Sequence, residues 1–146
     1  MAYRGKYKPK NPSKYDGDPT NIIYRSLLER RFMVYCDTNA SILKWSSEEI
    51  VVPYVSPIDN KWHRYFVDFW VQYRDSTGTL KSILIEVKPL SQTKEPQKIP
   101  GGKKPTRRMI TEIMTWGVNQ AKWKAAKNYC DDRKWEFKIL TEKDLT

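Results

Sequence analysis

Residues 62–73 and 80–88 flank the polar turn Asp75-Ser76-Thr77-Gly78-Thr79 and read as a β-hairpin that is apolar on both faces. Successive strand residues point to opposite sides, which places Phe66 and Trp70 on one face and Val67, Phe69 and Val71 on the other. Strands of this kind must be covered twice, so the hairpin is expected at the centre of a sheet with helices above and below. The flanking sequence supplies them. Tyr24, Leu28, Phe32 and Tyr35 recur at helical spacing over 21–37, with Thr20 or Asn21 available as the cap. A longer helix is expected over 106–131, with Met109, Ile113, Trp116 and Trp123 along one stripe and Thr115, Asn119 and Lys122 off it. Residues 42–45 and 50–55 read as short strands, the second marked by Pro53 as an edge or a bulge. Residues 135–140 alternate cleanly. Strand 80–88, the long helix and strand 135–140 then form a right-handed crossover unit whose two strands run parallel. The fold class is α/β, a central mixed sheet flanked by helices.

At 146 residues the chain suits one domain, here 21–146, preceded by a basic segment at 1–20. That segment, rich in Lys, Arg and Pro, reads as an extended arm. It is expected either to lie along DNA or to drape over its own domain through Tyr3, Tyr7 and Tyr15. Residues 89–108 carry four Pro and two Gly among Lys and Arg without periodicity, and are expected to form a long mobile basic loop. The formal charge of +10 favours a polyanionic partner through release of counterions from phosphates. No apolar run is long enough to span a membrane, and no basic amphipathic anchor or secretory leader is visible. Cys36 and Cys130 lack partners at metal-ligand spacing and are expected to be packed thiols in a reducing compartment.

Asp68, Glu86 and Lys88 interrupt this apolar hairpin, where unpaired charge is costly. Asp68 and Glu86 lie equally far from Thr77 and should face each other across the strands, with Cβ atoms roughly 5 Å apart. Two like charges there need a cation between them. Lys88 shares the face of Glu86, and a divalent ion could complete the neutralisation. Oxygen-only ligands favour magnesium or manganese. The alternative is a buried Asp-Lys-Glu ion network with no catalytic task.

Asp68 followed by Glu86-Val87-Lys88 on a hairpin beside a helix bearing Glu29 resembles the PD-(D/E)xK nucleases of the restriction-endonuclease-like superfamily. Further blocks extend the likeness: Tyr15-Asp16-Gly17-Asp18-Pro19, Tyr24-Arg25-Ser26, Arg64-Tyr65-Phe66, Trp116-Gly117-Val118-Asn119 and Lys122-Trp123-Lys124-Ala125-Ala126. Over nearly its whole length the chain resembles the head completion nucleases of T-even-type tailed phages. The core is also similar to the endonuclease subunit of some heteromeric transposases. The resemblance implies a divalent-metal-dependent DNA endonuclease that processes packaged DNA or its ends. Its cofactor would be Mg2+ or Mn2+. Its partners would be DNA and phage head-vertex or portal proteins, in the host cytoplasm during assembly and in the virion. It implies Asp68, Glu86 and the Val87 carbonyl as metal ligands, Lys88 as the residue that orients or helps deprotonate the attacking water, and Glu29 as an additional acidic residue. Val67 stands where the motif has its eponymous Pro. Glu29 could instead form a surface pair with Arg25, four residues earlier, or Arg25 could orient it.

Arg64, Asn119 and Lys122 are expected to flank the site and contact the DNA backbone, and Lys103, Lys104, Arg107 and Arg108 form a basic run at the loop–helix junction. Gly101-Gly102-Lys103-Lys104-Pro105-Thr106 lacks the spacing of a phosphate loop. His63, the only histidine, is expected on a strand surface. A second functional class stays open: a non-catalytic plug that binds DNA ends or docks at the portal on a nuclease fold. Such a plug has no need for Asp68, Glu86 and Lys88 together.

Overall fold

Four strands form the central sheet of the computed structural model, which describes residues 4–97 and 101–145. They are β3 (Ile42–Ser47), β6 (Phe69–Arg74), β7 (Leu80–Val87) and β8 (Glu136–Leu140), in the order β3-β6-β7-β8. β3, β6 and β7 pair antiparallel, and β8 joins β7 in parallel after the crossover through helix α2 (Arg107–Arg133). Helix α1 (Leu27–Thr38) covers one face: Phe32, Met33 and Cys36 pack with Phe69, Val71, Ile83, Ile85 and Val87. Helix α2 covers the other, where Trp123, Ala126 and Cys130 pack with Trp70 and Leu84. The hairpin is thus central and doubly covered, as its two apolar faces require. Both cysteines are buried and unpaired, and burial pushes the Cys130 thiol up to about 11.

The expected strand over 62–73 is in fact two. β5 (Trp62–Phe66) pairs with β4 (Val51–Val55) in a separate ribbon, and β6 begins at Phe69. Val67 and Trp70 both pack on the α2 side. Residues three apart in one continuous strand would face opposite ways, so the chain breaks between them. Backbone bonds secure the break, from Val67 N–H to the Ile50 carbonyl and from Glu48 N–H to the Asp68 carbonyl, both 3.1 Å.

The first helix starts six residues later than its periodicity suggests. Ile22–Tyr24 form strand β2, antiparallel to β1 (Gly5–Tyr7), and Ser26 rather than Thr20 or Asn21 caps α1, accepting from Glu29 N–H at 3.1 Å. The basic segment is therefore no free arm: its described part, from Arg4, is built into the domain. Tyr7 and Tyr15 are buried, and Tyr15 meets Trp45 edge-on at 4.8 Å. Buried Asp37 accepts from the Tyr7 hydroxyl and from the N–H groups of Lys10 and Asn11. Burial opposes its charge, but these bonds win and hold its carboxyl below the usual value. Lys14 donates to the carbonyls of Cys36, Asp37 and Asn39, capping the C-terminus of α1. Tyr3 lies outside the described residues. In the 89–108 segment a short 3-10 helix, Leu90–Thr93, is tied to Glu142 through the Leu90 N–H, and residues 98–100 lie outside the described residues.

Candidate active site

Sheet geometry brings Asp68 and Glu86 together. The β6–β7 ladder ends at Phe69 opposite Ile85, so extending the register by one sets Asp68 across from Glu86. Beyond that end the Val87 N–H has no strand partner. The Asp68 side chain takes its place, with Oδ2 accepting from Val87 N–H at 2.8 Å. A strand residue turns its N–H and C=O to the same edge, so the Val87 carbonyl faces the same opening. Glu86 is only 5% exposed and lies on the α2 face, where Tyr65 of β5 donates its hydroxyl to Oε2 and Lys88 Nζ stands 3.6 Å from Oε1. Lys122, one turn of α2 past Asn119, sits over the Tyr65 ring at 5.5 Å and adds a second positive field on Glu86.

These positive groups leave the carboxylates undercompensated. Burial, then the charge of Glu86, pushes the Asp68 carboxyl well above the ordinary range, against the Val87 hydrogen bond and Lys88. Burial also raises Glu86, despite the Tyr65 hydroxyl and the charges of Lys88 and Lys122. The Tyr65 phenol is raised in turn, by burial and by the Glu86 charge.

A second acidic pair adjoins the first. Glu29 lies in the first turn of α1, and its Oε1 accepts from Arg25 N–H at 3.2 Å. With Ser26 this forms a variant of the capping box, the Ser-x-x-Glu pattern legible in the sequence. The Arg25 guanidinium turns instead to Glu48, 3.0 and 3.2 Å away. The surface ion pair between Arg25 and Glu29 therefore does not form, and Arg25 holds Glu29 through its backbone. Glu29 is raised mainly by burial and also by the charges of Glu48 and Glu86, and its own charge raises Asp68. Glu48 has φ of 56°, the left-handed region that non-glycine residues seldom occupy. Such a backbone costs about 1–3 kcal/mol and marks the tight turn that keeps Glu48 beside Arg25 and its N–H on Asp68.

Of the expected DNA-contacting residues, Lys122 acts on Glu86, and Asn119 lines a groove together with Lys122. Asn119 is buried, facing the segment that follows Lys88. Arg64 is exposed on β5 next to Tyr65, its guanidinium 5.6 Å from the Phe66 ring. Lys103, Lys104, Arg107 and Arg108 are exposed at the N-terminal end of α2, and Arg108 pairs with Glu112 at 3.1 Å. At 1.5 Å per residue that end lies about 20 Å from Lys122 along the helix, so the basic run is remote from the carboxylates. His63 is exposed and bonds Asp59. Tyr65 and Glu48 join the site beyond the residues expected there. Tyr65 had a signal: a tyrosine on a strand between charged and apolar neighbours needs a partner for its hydroxyl once buried. Glu48 had none, because its place depends on the break after Val67.

Among the described residues no three His, Cys, Asp or Glu side chains are gathered as a metal cluster. The donors at hand are the Asp68 and Glu86 carboxylates and the Val87 carbonyl, all oxygen. Among the described residues Asp68 Oδ1 accepts no hydrogen bond. Two carboxylates plus a carbonyl, with remaining positions for water and phosphate, fit a hard divalent ion of the magnesium type.

Residues 39–142 match the TnsA-like endonuclease N-terminal family. The matched stretch contains Glu48, Tyr65, Asp68, Glu86, Lys88 and Lys122, whereas Glu29 precedes it. The chain is also 44% identical over 149 aligned positions to the head completion nuclease of Enterobacteria phage T4, with 99% of this chain and 95% of that protein covered. With the mixed sheet and its two covering helices, these matches show that the chain belongs to the TnsA-like endonuclease N-terminal family, of restriction-endonuclease-like fold, alongside the phage T4 head completion nuclease.

Proposed function

We propose that this chain is a divalent-metal-dependent DNA endonuclease of phage head completion, with Asp68 and Glu86 as its paired ligands and Lys88 beside the reacting phosphate. One observation carries the reading. Two carboxylates are held together at the end of the central strands although burial and mutual repulsion oppose their charges. That arrangement is destabilising in itself and becomes useful when a cation and an anionic phosphate meet there.

A bound Mg2+ or Mn2+ would polarise the phosphate and lower the pKa of a coordinated water. The chain's own residues do the rest. Tyr65 fixes the Glu86 rotamer, and the Val87 N–H fixes that of Asp68, which leaves Oδ1 and the Val87 carbonyl facing the opening. Lys88 reaches from the same strand face as Glu86 and supplies positive charge where the attacking water and the developing phosphorane-like charge meet. Glu29, held neutral more readily than an exposed glutamate, can accept or return a proton at the water's side. Lys122 and Arg64 bracket Glu86 and β5 with positive charge for the DNA backbone. One domain with one such site makes one nick, so a double-strand cut takes two copies or two visits. Likeness to the phage nuclease supports work inside the host cell during assembly, with head-vertex or portal proteins as partners and the filled head as the place of action.

The test is relaxation of supercoiled plasmid with Mg2+ or Mn2+ and with chelator, comparing wild type with Asp68→Asn and Lys88→Ala. Metal-dependent nicking that both variants lose while still binding DNA is expected. DNA binding without nicking under either metal would replace this reading with that of a DNA-end or portal-docking plug.

A further inference from the structure

A cavity of about 530 Å3 lies between residues 91–96 and the N-terminal half of α2. Each of its two walls is continuous in the chain with a residue of the carboxylate site. Ser91 follows Lys88 by three residues, and Asn119 precedes Lys122 by one helical turn. Asn119 is its unusual feature. The residue is only 7% exposed and lines this cavity and the smaller groove beside it, yet among the described residues its amide makes no hydrogen bond. The amide opens into the cavity and is not sealed in the core, so its donor and acceptor are available to a ligand with matching groups.

Charge decides which ligand. The cavity wall carries Lys94 and Arg108 but also Glu95 and Glu112, and Arg108 is already paired with Glu112. A wall with two cations and two anions does not select a phosphate. It suits a neutral planar group that can stack on an aromatic and bond an amide, and Trp116 supplies the aromatic surface. The cavity runs along α2 from Arg108 to Asn119, about 16 Å at 1.5 Å per residue, and its volume is ample for one base.

We propose that this cavity receives one unpaired nucleobase of the DNA held at the carboxylate site, stacked on Trp116 and hydrogen-bonded to Asn119, so that the enzyme prefers DNA with a single-stranded stretch beside the cut. This rests on the nuclease reading and adds the substrate's form to it. Base–aromatic stacking in single-strand binding proteins amounts to about 5- to 150-fold in affinity.

The test uses a duplex with a short single-stranded extension carrying 2-aminopurine at successive unpaired positions, its blunt counterpart, and the full-length protein in chelator. Quenching of 2-aminopurine at one or two positions is expected, together with at least fivefold tighter binding of the extended duplex than of the blunt one. Asn119→Leu should lower that preference. So should Thr115→Trp, which fills the cavity from an exposed helical position and leaves the core untouched. Equal affinity for both duplexes, unquenched 2-aminopurine, or a preference unchanged in the Thr115→Trp protein would overturn the proposal. Metal-dependent cleavage of the blunt duplex, measured in parallel, reports on the nuclease reading alone, so the two can fail separately.

Discussion

Replacing Asp68 with asparagine should make the metal-free protein more stable. Extending the β6–β7 register sets Asp68 across from Glu86, and opposed strand residues have Cβ atoms about 5 Å apart. Two unit charges at that separation and an effective dielectric near 20 repel by about 3 kcal/mol. Lys88, 3.6 Å from Glu86, and the Val87 N–H on Asp68 return part of this, leaving about 1–2 kcal/mol to be recovered. Asparagine keeps an oxygen for the Val87 N–H, so no hydrogen bond is lost with the charge. The dependence on pH has a definite sign. The Asp68 and Glu86 carboxyls hold their protons more tightly folded than unfolded, so their contribution to stability is fully present below the unfolded value near 4 and is lost as pH rises through the raised folded values. The variant removes one of these losses, so its advantage should be absent near pH 3 and grow toward pH 8. For a domain of this size the difference corresponds to about 3–6 °C in Tm at pH 8, read by thermal melts in chelator across the pH range. An Asp68→Asn protein that melts at or below the wild-type temperature at pH 8, or whose advantage is greatest at pH 3, would refute the reasoning.

Tyr65→Phe removes the hydroxyl that Glu86 accepts and should destabilise the protein by about 1.5–3 kcal/mol in urea titrations at pH 8, with a smaller cost in acid where Glu86 is protonated. An equal cost at both pH values would contradict a bond to the carboxylate. Asp37→Ala strands the Tyr7 hydroxyl and two backbone N–H groups, so about 3 kcal/mol should be lost and trypsin should cut faster at Lys6 and Lys10. Unchanged proteolysis would mean that Asp37 does not anchor the N-terminal segment. Ser26→Ala should cost about 1 kcal/mol as a lost helix cap, and should also lower activity because Glu29 is positioned by the same turn.

The central architecture was legible because it follows from side-chain alternation. Strands apolar on both faces around residues 69–71 and 83–85 demand two covering layers, and the turn at Asp75–Thr79 sets the register that makes Asp68 and Glu86 neighbours. The parallel last strand follows from the intervening helix. What the sequence concealed depends on contacts distant along the chain. A residue such as Tyr24 fits helical spacing equally well, but β1 recruits it into a strand, and only the Ser26-x-x-Glu29 pattern marked the true helix start. Lysines that read as a DNA-binding arm are partly spent at home, with Lys14 closing the end of α1. The basic run at Lys103–Arg108 stands at the loop–helix junction as its composition suggests, and α2 carries that end about 20 Å from Lys122. Glu48 escaped notice because nothing local distinguishes it from its neighbour Glu49.

The most direct test of the central claim, that Asp68 and Glu86 are held together to bind a divalent ion, is a Mn2+ titration followed by electron paramagnetic resonance. Wild type, Glu86→Gln and Lys88→Met would be compared at pH 7.5. The account predicts that wild type binds Mn2+, that Glu86→Gln weakens binding at least tenfold, and that Lys88→Met binds as wild type or more tightly, since it removes a competing cation 3.6 Å from the ligand oxygen. Equal Mn2+ affinity in wild type and Glu86→Gln would contradict it.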